Sequence, residues 1–170
     1  MHGCFSEATS QAAAEPAWAA PGQEQERRAG ALLLRQWQAS CRDGQMPTLV
    51  DLELARHVAT YDGSFLLRED VDPASSVFIL CGERARAVYG ASPIGRTLVD
   101  MLPAAVRRSV GESCQAALRL GRPAVAEGQY QTGSGGRLYR GVFAPVRSEN
   151  PGNHARCGFL LGTYGERAAH

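Results

Sequence analysis

The chain is 170 residues long, room for about one domain of ordinary size with a tail. Its 18 basic residues are all arginine and stand against 17 acidic ones, so the net charge of +1 offers no long-range field for nucleic acid or anionic lipid. No stretch approaches the ~20 apolar residues that cross a bilayer, and the apolar run behind Arg27 and Arg28 ends at Arg35, too short for an export signal; membrane insertion is not expected, and the expected location is the cytoplasm.

Residues 1–26 mix Ala, Gln, Glu, Pro and Gly without a sustained apolar period, which predicts a disordered tail touched down at most at Trp18. Residues 27–61 read as an N-terminal helical segment and connector. From Glu26 to Cys41, Leu33, Leu34, Trp37 and Cys41 recur at helical spacing, and Asp43-Gly44 supplies the stop. The stripe either packs on its own domain or forms the seam of a homodimer, with Leu33, Leu34 and Trp37 as the interface candidates. Leu49 to Tyr61 reads as a second short helix, closed by Asp62-Gly63.

Residues 62–167 carry the main domain. Ser64 to Arg68 and Val77 to Cys81 read as two strands of a hairpin across a loop rich in turn formers. Ala85, Val88 and Tyr89 then share a helical face, and Gly90 stops it. Pro103 suits a first helical turn, and Val106, Val110, Cys114, Ala117 and Leu118 follow at i, i+4, i+8, i+11 and i+12, with Gly121 as the end. Pro123 to Thr132, Arg137 to Val146 and Arg156 to Tyr164 read as three further strands joined by Gly-rich turns, giving five antiparallel strands.

No catalytic set stands out. The sequence has no Gly-x-Ser-x-Gly elbow, no His-Glu-x-x-His and no Walker loop. Thr132-Gly-Ser-Gly-Gly136 lies between two strands, so it is hairpin material and not a phosphate cradle. The five cysteines, Cys4, Cys41, Cys81, Cys114 and Cys157, form no Cys-x-x-Cys pair and read as reduced thiols. His2, His57, His154 and His170 are too scattered for a zinc site.

Two segments carry a family resemblance. Phe78-Ile-Leu-Cys-Gly-Glu-Arg-Ala-Arg-Ala-Val-Tyr-Gly90, followed by Ser92-Pro-Ile-Gly-Arg-Thr-Leu-Val-Asp100, resembles the middle of a PAS sensor domain. Ahead of it, Leu32-Leu-Leu-Arg-Gln-Trp-Gln38 and Met46-Pro-Thr-Leu-Val-Asp51 are similar to the Trp-containing helix and Pro-containing connector of short, stand-alone bacterial PAS proteins. The resemblance implies an α+β fold: a five-stranded antiparallel sheet with short helices, one long helix across a face, and an N-terminal helix before it.

It also implies a pocket under the long helix, and the candidates to line it are Leu80, Tyr89, Arg96, Val106, Val110, Cys114, Leu118, Phe143 and Leu161. Cys114 is either a small buried hydrophobe or a ligand or redox contact. Arg96 is either a solvated loop residue or a gate for an anionic ligand group. The covalent flavin adduct of light-sensing relatives is disfavoured, because their Asn-Cys-Arg-Phe-Leu-Gln type segment is missing. Heme is disfavoured too, because residues 103–120 hold no His. The cofactor therefore stays unknown. The function implied is a non-enzymatic sensory or regulatory module that acts in trans on a signalling protein, as a homodimer, with a small apolar molecule as possible ligand. The alternatives are a structural adaptor with a filled core and a small-molecule enzyme on a related scaffold.

Overall fold

In the computed structural model the described residues are 21–149 and 158–169. The tail over residues 1–20, with Trp18, and the turn at 150–153 lie outside them. Helix α1 (Pro21–Ser40) begins ahead of Glu26, with Pro21 in the first turn where its missing N–H costs no bond. Its apolar stripe faces this chain's own sheet. Leu33 is fully buried and Trp37 is 7% exposed, and the Trp37 Nε1–H donates to the Pro145 carbonyl at 2.7 Å. Gly30 permits the approach: a Cβ there would stand 3.0 Å from Val142 Cγ2. Of the two readings of this stripe, packing on its own domain is the one observed, and the homodimer seam at Leu33, Leu34 and Trp37 is corrected. The first and last are consumed inside one chain, and Leu34 is half-buried against the same cluster.

The single helix expected from Leu49 to Tyr61 is two turns, α2 (Leu49–Leu52) and α3 (Val58–Tyr61), because Glu53 adopts the left-handed conformation at φ 45° and closes α2. Thr48-Leu-Val-Asp51 recurs as Thr97-Leu-Val-Asp100. Both are capping boxes, Thr hydroxyl to Asp N–H and Asp carboxylate back to Thr N–H, and the second opens α5 (Leu98–Met101).

Five strands form one sheet: β1 (Phe65–Arg68), β2 (Val77–Cys81), β3 (Ala124–Thr132), β4 (Gly135–Val146) and β5 (Phe159–Ala168). Their order is β2-β1-β5-β4-β3, and every neighbouring pair is antiparallel. Between β2 and β3 run α4 (Glu83–Tyr89), α5 and α6 (Arg107–Leu120). Helix α6 starts later than Pro103, because Pro103 to Val106 makes a separate turn closed by Val106 N–H on the Pro103 carbonyl.

β1, the second half of β4 and most of β5 are buried on both faces, whereas β3 is largely exposed, and alternation along each strand sends neighbours to opposite sides. On the inner face, Phe65, Phe78, Phe143 and Leu160 meet Val106, Val110, Cys114 and Ala117 around α6. On the outer face, Leu66, Val142, Ala144, Val146 and Leu161 meet Leu33 and Trp37 of α1 and Leu52 of α2.

Candidate functional site

The inner face gathers the polar chemistry of the core around Tyr89. Helix α4 reaches its place through Asp62, whose carboxylate accepts the Glu83 and Arg84 N–H groups and the Arg84 Nε–H, the last at 2.7 Å. The Arg84 side chain is the main cause that holds this carboxyl below the ordinary aspartate range. Gly90, left-handed at φ 65°, ends the helix just after Tyr89. The Tyr89 ring then sits among aromatic neighbours, with centroids 5.4 Å from Phe78, 6.2 Å from Phe65 and 6.5 Å from Tyr164. Its hydroxyl is shut off from solvent and has no hydrogen-bond partner among the described residues. Burial pushes its pKa well up, and Cys81, Cys114 and Glu166 nearby push it further, so the group stays a neutral phenol.

Beside it stands a saturated carboxylate. Glu166 accepts a hydrogen bond from Tyr164 on one oxygen and from Tyr130, at 2.8 Å, on the other, and Arg137 pairs with that second oxygen at 3.5 Å. Tyr164 and Tyr130 are both raised, first by burial and then by the bond to Glu166. Cys114, on the α6 stripe, is raised by burial, which keeps it a thiol with little nucleophilic character. Among the described residues the cluster thus offers one buried side-chain oxygen without a partner, the Tyr89 hydroxyl, able to donate to or accept from a small neutral or polar group.

Of the residues named from sequence, Tyr89, Val106, Val110, Cys114 and Phe143 do meet in the inner cluster, and Leu118 reaches it from a half-buried position. Leu80 and Leu161 do not. The β1–β2 register pairs Leu66 with Leu80 but Leu67 with Phe78, so Ile79 is an extra residue in a bulge and Leu80 is left 51% exposed on the outer side. Leu161 pairs with Leu66 and packs in the outer cluster. Of the three residues read as sharing one face of α4, Ala85 is buried and Val88 is 47% exposed. Arg96 lies exposed on the loop before α5; its backbone carbonyl accepts from Phe78 N–H, and its charge adds a smaller part to the Thr97 hydrogen bonds that hold Asp100 low. The expected cavity lining is a filled cluster, in which Phe78, Val106, Val110, Cys114 and Phe143 are fully buried. Grooves of about 290 and 340 Å³ open instead at the α1–α4–β5 junction and beside β1 and β2, and no α6 residue lines either. Glu166 and Asp62 were missed from sequence. The signal for Glu166 was its i+2 spacing from Tyr164, which places both on one strand face.

Antiparallel order β2-β1-β5-β4-β3, short helices after β2 and a long helix over the inner face make this a PAS-like α+β fold. No protein-family model and no curated protein matches the sequence. Among solved structures, the chain is similar to the PAS-B domain of Drosophila melanogaster Cycle with bound ethylene glycol, at 11% identity over 61% of this chain and 99% of that one, TM-score 0.44. It is similar to the PAS domain of a Colwellia psychrerythraea protein at 15% identity over 69% and 98%, TM-score 0.44. The PAS domain of Bordetella pertussis BvgS gives 12% identity over 69% and 88%, TM-score 0.46. The fold assignment rests on the strand order itself.

Proposed function

We propose that this chain is a non-enzymatic sensory or regulatory module in which a small, largely apolar molecule with one polar atom engages the Tyr89 hydroxyl. The observation that carries the reading is that hydroxyl: buried, unpartnered and surrounded by Phe65, Phe78 and Tyr164. A buried orphan of this kind costs about 1–3 kcal/mol, which a ligand's hydrogen bond would recover. Because the inner cluster is filled, entry requires α4 to shift from the sheet. Only differential binding to the shifted state moves that equilibrium, and a partner can read the new position of α4. The neutral phenols and the buried thiol argue against acid–base or nucleophilic chemistry at this place.

The reading extends, by analogy with the fold, to action in trans on a signalling protein and to pairing of two copies in the cytoplasm. For pairing through α1, Leu32, 41% exposed, is an available apolar contact. A second reading, the structural adaptor, is favoured by the fully buried side chains beneath α6. Native mass spectrometry of the parent protein and Tyr89→Phe, each purified from its own host, separates the two. The sensory reading predicts a bound mass that is lost on denaturation and diminished in the variant. An empty parent and a Tyr89→Phe protein that melts higher would leave the adaptor standing.

A further inference from the structure

The outer face carries a second pocket that the inner-face reading does not use. It occupies about 340 Å³ beside β1 and β2 and is walled by Leu54, Tyr61, Leu66, Leu80 and Leu161, with Phe65 and Cys81 of the inner cluster also reaching it, Ser64 in the wall and Asp62 and Glu83 at the rim. The volume falls at the small end of sites that take single organic molecules, and is too small for a helix. The bulge in β2 creates it: with Ile79 extra, Leu80 is turned to this side and left half in water, although the neighbouring Leu66 and Leu161 are buried. One observation points to an occupant: the Ser64 hydroxyl, in a residue only 2% exposed, is buried with no hydrogen-bond partner among the described residues. An apolar pocket with one orphan hydroxyl suits an apolar body that carries a hydrogen-bonding atom.

The rim gives the sign of charge. Asp62 is engaged by Arg84, whereas Glu83 presents a carboxylate with no ion pair among the described residues; neither Arg84 nor Arg86 of α4 is part of the wall, and the Arg86 charge reaches the pocket only at Cys81. We propose that this pocket is a binding site for a compact aromatic or alicyclic amine, its ring against Leu80, Leu66 and Leu161, its ammonium toward Glu83, and a ring heteroatom or amine hydrogen within reach of Ser64. The pocket shares Phe65 and Cys81 with the surroundings of Tyr89 but does not include Tyr89 itself, so a change at the Tyr89 hydroxyl tests one site and leaves the other in place.

Isothermal titration calorimetry with tryptamine, indole and indole-3-acetate on the full chain, paired with amide chemical-shift mapping, tests it. Tryptamine should saturate, with shifts at Ser64, Leu66, Leu80 and Leu161, and bind about fivefold more tightly than indole-3-acetate, as a partly exposed ion pair allows. Glu83→Gln should erase that preference, and Leu80→Arg, at an exposed position that leaves the fold intact, should weaken tryptamine about tenfold or more by like charge. Tyr89→Phe should change nothing. No saturable binding of tryptamine, shifts confined to the inner face, or full affinity in Leu80→Arg would each overturn the proposal.

Discussion

Replacing Trp37 by Ala removes an indole that is 7% exposed together with its hydrogen bond to the Pro145 carbonyl. Large-to-small changes at buried aromatics cost about 3–5 kcal/mol, and about 1 kcal/mol of that range is the net value of one hydrogen bond. Because α1 stays tethered by Leu33, a loss near the middle, about 4 kcal/mol, is expected, against a total stability of about 5–15 kcal/mol. For a chain of this size that lowers the melting temperature by about 8–16 °C. Trp37→Phe, which keeps a ring and loses the N–H, should fall by a fraction of that. Thermal unfolding at two protein concentrations, with sedimentation of the same samples, reads the effect: Trp37→Ala should melt lower by the same interval at both concentrations, with its sedimenting mass unchanged. A melt within about 1 °C of the parent, with or without loss of an oligomer, would refute the packing of α1 on its own sheet and return Trp37 to an interface between chains.

Gly162→Ala should destabilise by about 1–3 kcal/mol or more in urea unfolding, because the added Cβ would lie 2.5 Å from the Phe65 ring in a filled cluster. Asp62 has its folded pKa below its unfolded one, so its bonds to α4 stabilise the fold above about pH 4 and that contribution is lost as pH falls below it. Asp62→Asn should flatten the acid limb of the stability profile and loosen α4, measured by amide exchange at Glu83 and Arg84. Burial raises Tyr61 to about 12, and its folded state favours the neutral phenol. Its contribution is therefore complete below the ordinary tyrosine value near 10 and is lost as pH rises from there toward about 12. Ultraviolet titration should find Tyr61, Tyr89 and Tyr164 ionising only as the chain unfolds, and early ionisation of all tyrosines would contradict their burial.

The α6 stripe was legible because Val110, Cys114 and Ala117 have a polar face opposite, so a period of 3.6 identifies the buried side. Strand β5 was legible as a strand but not by face. Leu160 and Leu161 are both apolar because α6 lies on one side and α1 on the other, and a strand buried on both faces loses the alternation that tells in from out. Leu80 was misplaced for a different reason: the bulge at Ile79 breaks the two-residue period, and only pairing with β1 reveals it. The Tyr89 environment depends on contacts between α4, β1, β2 and β5 that are distant in sequence. Tyr89 itself could be chosen as a candidate, but the orphaned state of its hydroxyl could not be read before the register was known.

The central claim is that the Tyr89 hydroxyl waits for a partner from outside the chain. A high-resolution crystal structure of the protein isolated from its host, without added ligand, tests it most directly. Ordered density of a small molecule is expected within hydrogen-bond distance of Tyr89 Oη, with α4 displaced from β5. A Tyr89 hydroxyl bonded to a protein atom, with α4 in place and the inner cluster closed around it, would contradict the claim.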